Sequence, residues 1–334
     1  MNLNNISLNL YSFGYYAGFI KDSDRVQEIL GIDGLVQLVK KHGLGGVEIP
    51  LDHFYPIEKI ELGIEKIEKI RSDNLSVFID LEKIDVDYIT RLLPYLPSLG
   101  ISAVRIKMDQ IGKTIYGGNR YDSVTFNSAV NEFKQKLVSL LPVLERHGVA
   151  LAIENHQDFH STELVEISRN ISEELIGVTW DIGNSISAAD SPDSFYNTAA
   201  HIIKNVHLKD YKIYKSKAGI RLVRCPLGDG YVDYQDVLKK LDVNDGIVNM
   251  SIELGAQITR ECDINNRHYW QDFSNVLIDK NSYLDFVDQH AINHHDSLSK
   301  YEHGLTEDGM IRSELQDIDR SVNNLKQLLG VNCE

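Results

Sequence analysis

The 334-residue chain has only three cysteines, Cys225, Cys262 and Cys333, and no Cys-x-x-Cys pair. Their odd number and wide spacing are typical of free thiols in a reducing compartment and argue against a disulfide framework. No stretch approaches the roughly 20 apolar residues that a membrane-spanning helix requires. The first residues lack a basic segment, and asparagines interrupt their apolar run, so they do not fit a secretory signal. We therefore expect a cytoplasmic protein without a membrane segment.

Basic residues are also in short supply, with 34 Lys and Arg against 49 Asp and Glu and a formal net charge of -15. Binding to nucleic acid depends on lysines and arginines that release counterions from the phosphates. The charge balance therefore disfavours a nucleic-acid partner. Part of the negative charge would belong to a metal site, counted without its ion.

What the chain does contain is a repeated alternation of short apolar runs and amphipathic segments. Glycines at 43, 100 and 148 stand where helix C-caps precede the next strand. The pattern predicts strands at 6–13, 46–51, 75–81, 101–108, 149–154, 176–182, 205–209 and 247–254. The predicted helices lie at 32–42, 57–71, 86–99, 124–147, 162–168, 194–203 and 234–241.

Eight such alternations in about 255 residues predict an α/β protein with a (β/α)8 TIM barrel. A doubly wound open sheet is the alternative, but no glycine-rich nucleotide loop follows the first strand. We place the catalytic barrel at 1–283 and a C-terminal helical extension at 284–334. Apolar residues in that extension follow a spacing of three and four, so one face should be buried. The barrel wall or another subunit could cover it, and a homo-oligomer is left open.

Four strand-like runs end in a side chain suited to a divalent cation: Glu154, Asp181, His207 and Glu253. Glu154 and Asp181 are 27 residues apart, and Asp181 and His207 are 26 apart, about one strand–helix unit. Successive barrel strands would bring these ends together on the rim where barrel enzymes keep their chemistry. Three carboxylates and an imidazole would repel one another without a cation. We expect one divalent metal ion, first Mn²⁺, with Mg²⁺, Co²⁺ or Zn²⁺ as alternatives.

The step from His207 to Glu253 is 46 residues, longer than the others. The additional segment contains two β-prone runs, at 211–214 and 220–225, around a turn at 217–219. We expect a β-hairpin that sits above the metal rim as a lid.

Five short motifs resemble the sugar phosphate isomerase/epimerase family of xylose-isomerase-like barrels. They are Ile-Glu-Asn-His (153–156), Trp-Asp-Ile-Gly-Asn (180–184), Val-His-Leu-Lys-Asp (206–210), Pro-Leu-Gly-Asp-Gly (226–230) and Ile-Glu-Leu-Gly (252–255). The resemblance covers about residues 5–275. It implies that Glu154, Asp181, His207 and Glu253 hold the metal and that Glu154 and Glu253 are also the catalytic acid and base. It further implies enediolate proton transfer on a small carbohydrate substrate.

Five further residues are candidates for substrate binding: His156, Asn184, Lys209, Arg224 and Lys107. His156 could contact a substrate hydroxyl or simply hold its loop, and Arg224 could bind a carboxylate or be an exposed hairpin charge. Lys209 follows His207 by two residues and should point to the same side of the strand. Asn184 stands where ketose 3-epimerases typically carry a histidine, which weakens an assignment to free ketohexose epimerisation.

The first functional hypothesis is a metal-dependent sugar isomerase or epimerase. The second is a metal-dependent lyase, a decarboxylase or dehydratase of an oxidised sugar or keto sugar acid, because an enediolate also forms when a β-keto acid loses CO₂. A metal-bound sugar sensor without turnover is a third. A nuclease is disfavoured, since only one four-ligand set is evident and the chain is acidic.

Overall fold

The computed structural model describes residues 1–20, 29–108, 123–255, 257–293 and 297–331. Eight parallel strands close into a barrel, which confirms the TIM barrel and excludes the open sheet. Around the barrel the strands are β1 (Ser7–Asn9), β2 (Gly46–Pro50), β3 (Ser76–Asp80), β4 (Ala103–Ile106), β5 (Ala150–Glu154), β6 (Ile176–Asp181), β7 (Ile203–Leu208) and β10 (Asn249–Ile252). The last of these pairs with β1 and closes the ring.

Helices connect the strands and surround the barrel. Those of the barrel are α1 (Ile32–His42), α2 (Leu51–Phe54), α3 (Ile60–Ser72), α4 (Val86–Leu92), α5 (Ser123–His147), α6 (Ser161–Ile171), α7 (Pro192–Ala199) and α8 (Tyr234–Asp242). Gly43, Gly100 and Gly148 have φ values of 68°, 64° and 62° and precede barrel strands, as predicted. Only glycine adopts this left-handed conformation without strain.

Several predicted elements are shorter than expected, and two of them have a clear local cause. The first strand stops at Asn9, whose side chain accepts the Tyr11 N–H and starts a 3₁₀ turn at Leu10–Ser12. The helix predicted over 86–99 is α4 followed by 3₁₀ turns at Leu93–Tyr95 and Pro97–Leu99. Proline has no N–H to donate and clashes with the preceding turn, so Pro94 and Pro97 end the regular α-helix.

The predicted hairpin is confirmed. Strands β8 (Asp210–Lys215) and β9 (Ile220–Cys225) pair antiparallel, and β11 (Arg260–Cys262) adds a third strand on the other edge of β9. In sequence, β8 and β9 lie between the last two barrel strands, β7 and β10, and β11 follows β10. Its role as a lid stays a prediction.

After the barrel come α9 (Arg267–Gln271), α10 (Lys280–His290) and α11 (Glu307–Leu328). The apolar face of α11 is buried within this chain, since Ile318, Val322 and Leu325 join the main hydrophobic core. The helical extension is thus present, whereas its boundary at 284 stays a prediction. Within the described residues, no helix is both long and apolar enough to cross a bilayer.

Candidate active site

Barrel geometry brings the four predicted metal ligands together. Glu154 and Asp181 are the last residues of β5 and β6, His207 is on β7, and Glu253 directly follows β10. One donor atom from each lies within 4.8 Å of every other, and all four residues are buried. Strands 5, 6, 7 and 10 are consecutive in the ring, which is why residues up to 99 positions apart in sequence meet here.

The orientation of His207 suits a metal ligand. Its Nε2 lies 2.8 Å from Oε1 of Glu48 and is held from below. Its Nδ1 faces the cluster, 3.5 Å from Glu253 and 3.9 Å from Glu154, and has no hydrogen-bond partner although it is buried. A carboxylate on one ring nitrogen that turns the other toward an ion is the common arrangement around metal-bound histidines. The donor set therefore fits a divalent cation.

Glu48 belongs to a second buried group with Asp80 and His207. Asn205, Asn249 and Ser251 all donate to the Glu48 carboxylate, which is therefore saturated with hydrogen bonds. Burial, and then the charge of Glu48, raise the pKa of Asp80 well above its usual value. We read this deeper group as the support of His207 and not as an ion site of its own.

Two buried cations neutralise the carboxylates. The Lys209 Nζ lies 2.5 Å from Asp181 Oδ2 and 2.6 Å from Glu253 Oε2. Arg105, on β4, donates to Glu154, and its Nε lies 3.6 Å from Asp80. The ammonium of Lys209 thus contacts two of the four donors that the metal would need.

The pKa shifts follow from this pairing. Burial raises the pKa of Asp181 to about 7; Lys209 acts against this, and the charges of Glu253 and Glu154 add to it. Burial also acts on Glu154 and Glu253, but Arg105 beside the first and Lys209 beside the second hold both pKa values below the usual range. Burial disfavours charged His207, yet Glu48 raises its pKa well above the ordinary one.

A cavity of about 610 Å³ opens above the cluster, within the 300–1,000 Å³ typical of small-molecule sites. Glu154 and Glu253 line it, whereas Asp181 and His207 are fully buried and are not among its lining residues. Its other walls come from the loop after β1, from β4 and β11, and from the segment around Glu82. The two glutamates are therefore accessible to a ligand in the cavity, while the other two donors lie deeper.

The predicted substrate-binding residues divide into two groups. His156, Lys209 and Lys107 line the cavity. Asn184 and Arg224 do not, since the side chain of Asn184 donates to Asp181 at 2.7 Å and Arg224 donates to the Gly255 carbonyl and lies 3.7 Å from Asp317. For these five residues, a substrate contact stays a prediction.

Three features of this site were not predicted from the sequence. Arg105 lies within β4 and not at its end, and Arg260 lies on the strand that extends the hairpin. Glu48 lies within β2 and binds a histidine 159 residues away in sequence. The sequence does hold one signal for Arg105. Residues two apart on a strand point to the same side, so Arg105 and Lys107 should both point toward the barrel.

Asp210, the first residue of β8, holds the loop that follows the hairpin. Its carboxylate accepts N–H groups of Gly228, Gly230 and Val232 at 2.9, 3.0 and 3.2 Å. Gly230 has no room for a side chain, because a Cβ there would stand 2.2 Å from Oδ1 of Asp210. Two of the five motifs, at 206–210 and 226–230, are therefore halves of one structural unit.

The sequence matches the xylose isomerase-like TIM barrel family over residues 36–265, and the chain belongs to this family. The uncharacterized protein YihM of Escherichia coli (strain K12) is 25% identical over 243 residues, which cover 71% of this chain and 68% of YihM. The predicted family is thereby confirmed.

Solved structures share the fold. The probable 3-DHS dehydratase AsbF of Bacillus anthracis has a TM-score of 0.53 and 13% identity, covering 82% of this chain and 99% of that one. D-Psicose 3-epimerase of Clostridium cellulolyticum H10 has a TM-score of 0.51 and 15% identity, covering 86% and 99%. One fold is thus found in an epimerase and in a probable dehydratase.

Proposed function

We propose that this protein is a divalent-metal-dependent sugar isomerase or epimerase. An isomerase would move a proton between two neighbouring carbon atoms, and an epimerase would remove a proton from one carbon and return one to it. The observation that supports this most directly is the set of four donors at the floor of the cavity, of which only the two glutamates face the ligand. We keep Mn²⁺ as the expected ion, because the donors are three carboxylates and one imidazole without a thiolate.

Glu154, Asp181, His207 and Glu253 would hold the ion. When bound, the ion supplies a Lewis acid that draws electron density from a carbonyl and the neighbouring hydroxyl, which makes the C–H between them acidic. Asp181 and His207 have no access to the cavity and serve as ligands only.

Glu154 and Glu253 would move the proton. Both carboxyl groups are ionised at neutral pH, since Arg105 and Lys209 hold their pKa values low, so either can act as the base. One glutamate takes the C–H proton and gives an enediolate. The other, once it has taken up a proton from solvent, returns that proton to carbon from its own side. If the two act on opposite faces, the configuration at the carbon inverts.

A lyase acting on an oxidised sugar is the second candidate, and the cations of the cavity favour it. Lys209, Arg105, Lys107 and Arg260 all line the cavity and could hold a substrate carboxylate. The residues that would stabilise an enediolate in the isomerase reaction would then stabilise the one that arises when the substrate loses CO₂ or water.

The test is a panel of keto-sugars and keto sugar acids, incubated in D₂O with the Mn²⁺-loaded protein. Exchange of a substrate C–H for deuterium without loss of carbon or water supports the isomerase, and release of CO₂ or water supports the lyase. Glu154→Gln and Glu253→Gln should each abolish turnover, with the exposed Glu145→Gln on α5 as the control. Binding without any turnover, unchanged in both variants, would favour a sugar sensor and contradict the proposal.

Cys225 and Cys262 are free and buried, in keeping with the cytoplasmic location that we expect. A small carbohydrate remains the proposed ligand.

A further inference from the structure

Arg260 is a buried cation that has no counter-charge among the residues the structure describes. Only 4% of its surface is exposed, and it lines the cavity. Its guanidinium donates to the neutral amide oxygen of Asn184 at 3.0 Å and lies 5.6 Å from the ring centroid of Tyr211. It forms no ion pair with any residue in the described part of the chain. Since a buried charge is costly unless it is paired, Arg260 is suited to an anion that the described residues do not supply.

Lys107 is a second cation of the cavity, and it is half-buried. It follows β4 by one residue, lines the cavity and has no ion-pair partner within the described ranges. The other two cations of the cavity, Arg105 and Lys209, do have ion-pair partners. Arg105 pairs with Glu154, and Lys209 pairs with Asp181 and Glu253. Among the residues that the structure describes, two positive charges of the cavity are thus left without an ion-pair partner.

The two unpaired cations line the same cavity as His156. Glu154 and Glu253, the proposed proton-transfer groups, line it too. A ligand that fills the cavity and reaches the glutamates would therefore also meet Arg260 and Lys107.

We propose that Arg260 and Lys107 form an anion-recognition site and that the natural substrate is a sugar carrying an oxyanion group. The planar fork of Arg260 suits two oxygens of one carboxylate or phosphate, and Lys107 adds a point charge. This inference rests on the proposed function, because it concerns the substrate of the same site. It narrows the class from sugars in general to acidic sugars or sugar esters.

The test measures binding by calorimetry, so that it does not depend on turnover. The Mn²⁺-loaded full chain is titrated with neutral ketoses such as D-fructose, with keto-aldonates such as 5-keto-D-gluconate, and with ketose phosphates such as D-fructose 6-phosphate. We expect an anionic class to bind at least about tenfold more tightly than its neutral counterpart, as charge-assisted hydrogen bonds allow. The carboxylate and phosphate arms show which oxyanion is preferred.

Arg260→Gln and Lys107→Gln should each remove about tenfold or more of the affinity for the anionic ligand and little of that for the neutral one. Arg260→Lys should retain part of the difference. The matched controls are Arg146→Gln on α5 and Lys239→Gln on α8, which remove the same charges from exposed positions outside the cavity. Unchanged Mn²⁺ affinity and melting temperature show that a variant is folded, and Lys107→Gln keeps the test valid if Arg260→Gln is not.

Equal affinity of the native protein for neutral and anionic sugars would overturn the inference, as would an equal loss for both in the variants. Its failure can be told apart from failure of the proposed function. Deuterium exchange on a neutral ketose with no charge preference would sustain the isomerase and reject the anion site. Selective binding of an anionic sugar, with neither exchange nor product, would do the reverse.

Discussion

His207 is contacted by carboxylates at two depths of the barrel. Glu48 binds Nε2 from below, and Glu154 and Glu253 face Nδ1 from above. The deeper carboxylate fixes which ring nitrogen is available to an ion, although it is not itself near the cavity. We therefore expect a change of Glu48 to alter the affinity for the metal more than it alters substrate binding or turnover.

We predict that Glu48→Gln lowers the affinity for Mn²⁺ by about 10- to 100-fold, the usual effect of removing a ligand's supporting carboxylate. Loss of the Glu48 charge also removes the main interaction that raises the pKa of His207. Competition with a chromophoric chelator measures the affinity. The exposed Glu68→Gln on α3 is the control, and an unchanged affinity in Glu48→Gln would contradict the role given to this residue.

Lys209 contacts Asp181 and Glu253 where the metal would also bind, so it and the ion compete for these carboxylates. We predict that Lys209→Met destabilises the metal-free protein by about 3–5 kcal/mol, because two buried carboxylates lose their partner. Saturating Mn²⁺ should recover most of this loss. Urea unfolding with and without the ion measures both effects, and a loss that Mn²⁺ does not reduce would argue against a shared site.

At the scale of elements, the strand–helix order could be predicted well because each barrel strand is a short apolar run bounded by turn residues. The four proposed ligands could be brought to one place for the same reason, since each ends or closely follows such a run. The compensating cations could not, because Arg105 and Arg260 carry no local sign of their partners. Pairings such as Glu48 with His207 depend on strand positions across the barrel, and proline limited α4 in a way that apolar spacing alone did not reveal.

Helix α11 supports the cavity through the loop that follows β1. The Glu314 carboxylate accepts the N–H groups of Tyr15 and Tyr16 at 2.9 and 3.0 Å. The same loop supplies Gly14, Gly18, Phe19 and Ile20 to the cavity wall. Ser321 and Asn324 of α11 also bind the backbone of Leu227, in the Pro-Leu-Gly-Asp-Gly loop.

We predict that Glu314→Ala reduces the free energy of unfolding by about 2–4 kcal/mol, since two buried N–H groups lose a charged acceptor. The KM for the substrate should rise more than kcat falls, because Glu314 positions a wall of the cavity and does not touch the reacting groups. Gln327→Ala, an exposed change on the same helix, is the control. A fall in kcat with KM unchanged would show that the loop acts in the chemical step instead.

For the whole molecule, metal binding and proton binding are opposed. Asp181 has a folded pKa of about 7, above its unfolded value, so it favours the folded metal-free protein at low pH. That contribution is lost as the pH rises through about 7. The proposed ion would require the deprotonated Asp181 carboxylate, so its apparent affinity should rise over the same range.

We predict that the increase in melting temperature caused by a fixed Mn²⁺ concentration is larger at pH 8 than at pH 6. The reason is that stabilisation by a ligand grows with its concentration relative to Kd. Differential scanning calorimetry measures the increase, and calorimetric titration in buffers of different ionisation enthalpy counts the protons released. Asp181→Asn should bind the ion weakly and lose most of the pH dependence, whereas equal shifts at both pH values would be evidence against the linkage.

The bond from Glu314 to the loop after β1 joins residues 299 positions apart, and β1 itself pairs with β10. During translation, the loop that forms one wall of the cavity leaves the ribosome well before the helix that holds it. A nascent chain can therefore form strand–helix units as it emerges, but it cannot close the ring or fix that wall until both distant segments are available. Closing contacts of such long range slow folding, so ligand competence should be the last property that a newly made chain acquires.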